Sequence, residues 1–198
     1  MSMNRISHYL FRIAFLLCPF IRIRVHNSCT VPRVGPVLLV PHHQKMFDIL
    51  AITWSILREV RYMAKISLFK NWLLRKYLEA CGAFRVKQGE PDRGALRKAG
   101  ELLGSGEAVC IFGEGTRTPG NVVGEMHGGL ILAANLSKVD PWIVPCGISY
   151  KWTWRFEVEV YYGNGFRISD INDTSASAIE IIRSRVQRAQ DEAVKRAA

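Results

Sequence analysis

A chain of 198 residues, 48% of them hydrophobic, is long enough to bury the core of one domain, and no low-complexity tract points to disorder. Its 27 Lys and Arg against 17 Asp and Glu leave a formal charge of +10, which suits an anionic partner: nucleic acid, a membrane surface or a phosphorylated substrate. Cys18, Cys29, Cys81, Cys110 and Cys146 are odd in number, widely spaced and free of CxxC patterns, which argues against a disulfide framework or zinc site and for reduced, mostly buried thiols in a cytosolic compartment.

Near the start, residues 9–25 read YLFRIAFLLCPFIRIRV. The longest uncharged run, residues 13–21, falls short of the ~20 apolar residues that a bilayer core demands, and Arg12, Arg22 and Arg24 bracket it. Without a small-residue cleavage site it does not read as a signal peptide. An apolar helix lying in a membrane interface and a helix docked on the domain's own core both fit this segment.

Further along, residues 21–26 alternate apolar with basic side chains as a short strand, and the apolar run 36–40 reads as a buried strand. Ile49, Ile52, Ile56 and Leu57 predict a helix over 47–58, followed by a strand at 60–64 and a helix over 68–80 capped by Ser67. Residues 83–87 form a short strand, and Asp92 caps a helix that stops at Gly104 and Gly106. A buried strand at 108–112, a Gly-rich loop at 113–125 and a helix at 129–136 come next. Strands at 143–149 and 156–162 and a charged helix from Ser175 onward complete the chain. Such alternation predicts a single α/β domain, with sites on the loops that leave the carboxyl ends of parallel strands.

Three of those loops carry chemistry. His42-His43-Gln44-Lys45-Met46-Phe47-Asp48 follows a buried strand; His43 and Asp48 meet if the chain turns into a helix between them. A carboxylate on one ring nitrogen fixes the tautomer and leaves the other to take a substrate proton. Taken alone, the loop is also consistent with a histidine at a helix start. The second, Gly82 to Gly89, places Arg85 and Lys87 on one face of an extended segment, which suits a phosphate or a solvated strand face. In the third, Phe112-Gly113-Glu114-Gly115-Thr116-Arg117-Thr118, the glycines free backbone N–H groups for an anion and Arg117 can grip a phosphate. Glu114 would position a hydroxyl or brace Arg117. Trp152 and Trp154 suit an interfacial anchor or groove packing equally well.

His43-x4-Asp48, residues 82–87, Glu114-Gly115-Thr116-Arg117 and Val144-Pro145 occur in the order seen in glycerolipid acyltransferases, and the chain resembles the lysophosphatidate (1-acylglycerol-3-phosphate) acyltransferases over residues 36–165. The resemblance implies an α/β domain with a mixed, largely parallel sheet flanked by helices (residues 26–198), preceded by an apolar membrane-interface segment (1–25). It implies that His43, oriented by Asp48, deprotonates the hydroxyl of lysophosphatidate for attack on the thioester of acyl-CoA or acyl carrier protein. Lys87 and Arg117 would bind phosphate with Arg85 beside them, Glu114, Gly115 and Thr116 would hold the acceptor, and Val144-Pro145 would shape the pocket wall. No metal or cofactor is implied. The expected partners are a lysophospholipid, the acyl donor and the cytoplasmic face of the cell membrane, where the enzyme would be peripheral or monotopic, and no nucleic acid. His42 stands where the family often has Asn. Another lyso-lipid or glycerol-3-phosphate as acceptor, or a non-catalytic lipid-binding protein, are the competing readings.

Overall fold

Residues 37–40 are apolar without interruption and fully buried, as a strand covered on both faces must be. They belong to β2 (Val37–Pro41), the middle strand of one seven-stranded sheet. The computed structural model describes residues 19–80, 82–86, 92–171 and 175–198. Lys87 and the apolar segment up to residue 18 lie outside the described residues.

The elements in chain order are β1 (Ile21–His26), β2, α1 (Asp48–Ser55), β3 (Val60–Lys65), α2 (Trp72–Ala80), β4 (Ala83–Val86), α3 (Arg93–Gly104), β5 (Ala108–Cys110), α4 (Gly129–Leu136), β6 (Trp142–Trp152), β7 (Phe156–Tyr162) and α5 (Ser175–Ala197). The sheet order is β1-β7-β6-β2-β5-β3-β4. β6, β2, β5, β3 and β4 run parallel, so the loops after them gather at one edge. β7 turns back against β6, and β1 pairs parallel with β7. The expected α/β fold with a mixed, largely parallel sheet is therefore what the chain adopts. β1 forms one edge of the sheet, so residues 21–25 of the N-terminal segment contribute a strand to the domain.

The strand expected at 108–112 stops at Cys110 and that expected at 143–149 runs Trp142–Trp152, and two helix boundaries also differ from expectation. Ser67 falls within a 3-10 turn over Ile66–Lys70, and the cap of α2 is Asn71, whose side-chain oxygen accepts from the N–H groups of Leu73 and Leu74. The first helix ends at Ser55, short of Arg58, because Ile56 turns extended and Arg58 is drawn into hydrogen bonds with the carbonyls of Pro32, Gly35 and Gly106. The Asp92 cap is present, accepting from the N–H of Ala95.

Alternation along β2 divides the core. Val37 and Leu39 face one layer with Ile49, Ile52 and Leu78 from α1 and α2. Leu38 and Val40 face the other, with Leu96, Leu103 and Leu130 from α3 and α4 and Ile182 and Val186 from α5. The buried thiols of Cys110 and Cys146 belong to the first layer and are pushed up by burial.

α5 packs so closely on β6 that only glycine fits at position 147: a Cβ there would lie 2.1 Å from the Ala189 carbonyl oxygen, a backbone atom with nowhere to go. Gly147→Ala is accordingly expected to destabilise the fold by at least ~2 kcal/mol, read as a lowered urea midpoint. A midpoint within error of wild type would mean that α5 is free to lift off the sheet.

Candidate active site

Pairing of β2 with β6 ends at Pro41 opposite Cys146, and the His42 N–H extends it to the Cys146 carbonyl at 3.2 Å. Beyond this point the pleat sends successive side chains to opposite layers. His43 follows Leu39 toward α1, and His42 follows Val40 toward the loop after β5.

On the α1 side, Asp48 opens the helix and is fully buried. Its Oδ2 accepts from His43 Nδ1 at 2.7 Å and from the N–H groups of Gln44 and Lys45 at 2.7 and 2.8 Å. Its Oδ1 accepts from the Tyr150 hydroxyl. Burial, reinforced by the charge of Asp48, pushes the Tyr150 phenol far up, so it remains a donor. With the proton of His43 held on Nδ1 by Asp48, the lone pair of Nε2 is the acceptor this site offers. The His43 side chain is 16% exposed, and its ring stacks on Phe112 with centroids 3.9 Å apart. A fixed ring, a fixed tautomer and access to solvent are the requirements of a general base. Gln44 adds a further tie by donating to the Ile148 carbonyl at 2.8 Å.

On the opposite layer, the fully buried His42 places Nδ1 at 2.6 Å from Glu114 Oε1 and Nε2 at 2.9 Å from the Gly120 carbonyl. Burial, the largest influence, pulls the His42 imidazolium down, but the hydrogen bonds to Glu114 and Gly120 and the charges of Glu114 and Asp48 together outweigh it and hold its pKa above the ordinary value. Two backbone links run alongside: Thr118 N–H to the His43 carbonyl at 2.7 Å, and His43 N–H to Glu114 Oε1 at 3.4 Å.

The residues expected at the site are distributed as follows. His43 and Asp48 are in contact, as their spacing suggested. Glu114 is not at the mouth of the site: it is buried behind it, bonded to His42 rather than to Arg117. Gly115, Thr116 and Arg117 are exposed on the loop. Gly115 has φ +65°, and a Cβ there would press on the His127 ring at 3.2 Å, so this turn needs glycine. Arg85 is exposed at the end of β4, its guanidinium 5.2 Å from the Phe69 ring centre and 3.9 Å from Glu79. Three strand spacings, roughly 14 Å, separate β4 from β2. Val144 lies in the core, and Pro145 faces a cleft of about 390 Å³ lined by Tyr161, Gly163, Arg185, Arg188 and Glu192 on the α5 side. Among the described residues no cluster of three or more His, Cys, Asp or Glu is arranged to hold a metal ion.

Sequence reasoning missed Tyr150 and the partner of His42. Tyr150 shares the inward phase of Val144, Cys146 and Ile148, so alternation gives its layer; that β6 lies beside β2 was the missing fact.

Tyr150→Phe removes the donor to a buried carboxylate oxygen and keeps the ring stacked on Phe156. A loss of about 1–3 kcal/mol is expected by urea denaturation; no loss would mean that Asp48 does not depend on the hydroxyl.

The geometry agrees with comparisons to known proteins. A family model described as Acyltransferase matches residues 22–149. The chain is 27% identical over 170 residues to a 1-acyl-sn-glycerol-3-phosphate acyltransferase of Streptococcus pneumoniae, covering 82% of this chain and 62% of that one. It is 29% identical over 117 residues to the protein of the same name in Bacillus subtilis, covering 59% and 58%. A lyso-ornithine lipid O-acyltransferase of Pseudomonas aeruginosa is 29% identical over 137 residues, covering 68% and 51%. The chain thus spans little more than half the length of these relatives. The crystal structure of PlsC from Thermotoga maritima, titled as a 1-acyl-sn-glycerophosphate acyltransferase, superposes with a TM-score of 0.76 at 21% identity, covering 96% of this chain and 78% of that one, and shares its fold. With the family model matched from β1 to β6 and the His43–Asp48 pair at the exit of the central strand, this chain belongs to the acyltransferase family.

Proposed function

We propose that the chain is an O-acyltransferase that moves a fatty acyl group from acyl-CoA or acyl carrier protein to the free hydroxyl of lysophosphatidate, giving phosphatidate. The observation that carries this reading is the His43 ring, whose Nδ1 is held by the buried Asp48 so that Nε2 is left to accept a proton. Nε2 takes the proton of the acceptor hydroxyl as its oxygen attacks the thioester carbonyl. The new ester forms, the C–S bond breaks, and the proton passes from His43 to the departing thiolate. The donor thioester is a co-substrate, and the step needs no cofactor. The exposed Arg117 supports a phosphate-bearing acceptor, and the names of the relatives from S. pneumoniae and B. subtilis support the same choice.

The same reading places the enzyme on an anionic membrane surface, at the cytoplasmic face. No helix among the described residues is long and apolar enough to cross a bilayer. The loop edge carries apolar side chains on both sides of the base. Trp152 and Trp154 at the β6–β7 turn are 78% and 74% exposed, and Phe20, whose carbonyl accepts from Phe156 N–H beside them, is 68% exposed. Across the site, Ile66, Trp72 and Leu73 stand out of the loop after β3 and the start of α2. Arg155 over Trp154 at 4.6 Å and Lys76 over Trp72 at 5.2 Å add cations to each side, complementary to acidic headgroups. The N-terminal apolar segment joins the domain at Phe20, at this same edge, and would lie on the same surface.

Thiol release from acyl-CoA is the direct test, with purified protein in detergent and lysophosphatidate, lyso-ornithine lipid or no acceptor. Release that requires lysophosphatidate and falls by about 10²–10⁴-fold in His43→Ala is expected. Release indifferent to His43 would overturn the mechanism, and a preference for lyso-ornithine lipid would replace the acceptor. For the surface, Trp152→Ala combined with Trp154→Ala is expected to weaken co-sedimentation with anionic vesicles about tenfold or more, with unaltered activity toward a detergent-dispersed acceptor. Unchanged sedimentation would remove this turn from the membrane contact.

A further inference from the structure

The base loop and the loop bearing Arg117 come from different strands, yet they are fastened at one buried point. His42 Nδ1 meets Glu114 Oε1 at 2.6 Å, and His42 Nε2 meets the Gly120 carbonyl at 2.9 Å, so one ring reaches both ends of the segment 114–120. Thr118, next to Arg117, donates to the carbonyl of His43 itself. The Glu114 side chain is almost wholly buried, and its Oε2 has no hydrogen-bond partner among the described residues. A carboxylate so placed has little besides His42 to offset its charge.

We propose that His42 is a positioning residue for the acyl transfer: donating from both ring nitrogens, it clamps the exit of β2, and with it the base His43, to the loop that presents Arg117 to the acceptor. The inference rests on the acyltransferase reading for its kinetic consequences only. As long as Glu114 is ionised, both partners of the ring are acceptors, and only the imidazolium satisfies both. The groups that act on His42 are the Glu114 carboxylate and the Gly120 carbonyl from the loop after β5 and the Asp48 charge from α1. The helices on its own layer, α3, α4 and α5, contribute apolar side chains there, among them Leu96, Leu130 and Ile182.

The sign of the pH dependence follows. A histidine raised above its ordinary value of 6.5 by folding contributes its full stability below 6.5 and loses it as pH rises through the raised value. Loss of the proton leaves the ring one donor for two acceptors: with Nδ1–H kept by the charged Glu114, the Nε2 lone pair faces the Gly120 carbonyl and the clamp loosens, so kcat of the wild type should decline on the alkaline side. His42→Asn keeps one donor for Glu114 and has nothing to titrate. His42→Phe removes both donors.

Two measurements on the full chain in detergent test this. Long-range ¹H–¹⁵N correlation of the histidine rings, with His42 assigned by its absence from His42→Asn among the five histidines, is expected to show protons on both ring nitrogens at pH 7.5. A neutral ring, the proton having moved to Glu114, overturns the clamp as drawn. In thiol-release kinetics with lysophosphatidate, His42→Phe is expected to lower kcat ~10–100-fold with KM for acyl-CoA little changed. His42→Asn is expected to return kcat to within about tenfold of wild type and to lack the alkaline decline. A His42→Phe protein with wild-type kcat and pH profile overturns the positioning role even if the ring proves charged. A wild type silent toward every acceptor would defeat the acyltransferase reading, while the ring spectrum would still decide the state of His42.

Discussion

Successive side chains of a strand point to opposite faces, and at the exit of β2 this rule puts two adjacent histidines to separate uses. His43 inherits the layer of Leu39, where α1 begins and brings Asp48 within 2.7 Å. His42 inherits the layer of Val40, where the loop after β5 brings Glu114 within 2.6 Å. Shifting the register by one residue would exchange them, offering the buried ring to the substrate and the accessible ring to the core. The parallel pairing of β2 with both β5 and β6 prevents that shift, since both faces of the strand are covered. Register in the centre of the sheet is thus what decides which histidine is accessible and which is buried, and the other parts of the site are positioned relative to it.

A short distance from histidine to carboxylate does not by itself identify a base. His26 and Glu159 are also 2.7 Å apart. Glu159, however, already holds Arg24 at 2.6 Å, and His26 lies on the edge strand with β7 and β6 between it and the loops after β2 and β5. That pair reads as an ion network along a strand edge. Asp48, by contrast, spends its oxygens on the ring, on two backbone N–H groups of the base loop and on Tyr150. Its hydrogen bonds hold the loop and the ring together, which gives the His43–Asp48 pair a geometry rather than only an attraction.

Much of this was legible before any coordinates. The run at 36–40, the His-x4-Asp spacing and the glycines around Glu114 predicted the central strand, the dyad and the loop, and the ends of α4 and β7 came out as periodicity placed them. What failed did so where two local signals competed or where a partner came from far along the chain. Ser67 and Asn71 are both good caps, and only the 3-10 turn between them decides for Asn71. Glu114 was read beside Arg117, its near neighbour in sequence, because no local rule reports that His42, seventy-two positions away, already occupies it. Tyr150, one hundred and two positions from Asp48, was hidden for the same reason.

Tyr150 also ties the chemistry to the surface on which it would work. β6 continues past the end of β2, and its outer part carries the Tyr150 hydroxyl to Asp48 and, two residues later on the same face, Trp152. Tyr150 and Trp152 both pack on Phe156 of β7, with ring centres 5.6 Å away in each case, and Lys45 of the base loop lies 4.7 Å over the Tyr150 ring. A force on the exposed turn therefore passes through two aromatic contacts to the carboxylate that orients the base. On the proposed function the acceptor is met in the plane of a membrane, and a site with that task would gain from building the exposed turn and the support of Asp48 on one strand. On that reading, the hairpin would set the height of His43 above the lipid surface through its packing across Phe156.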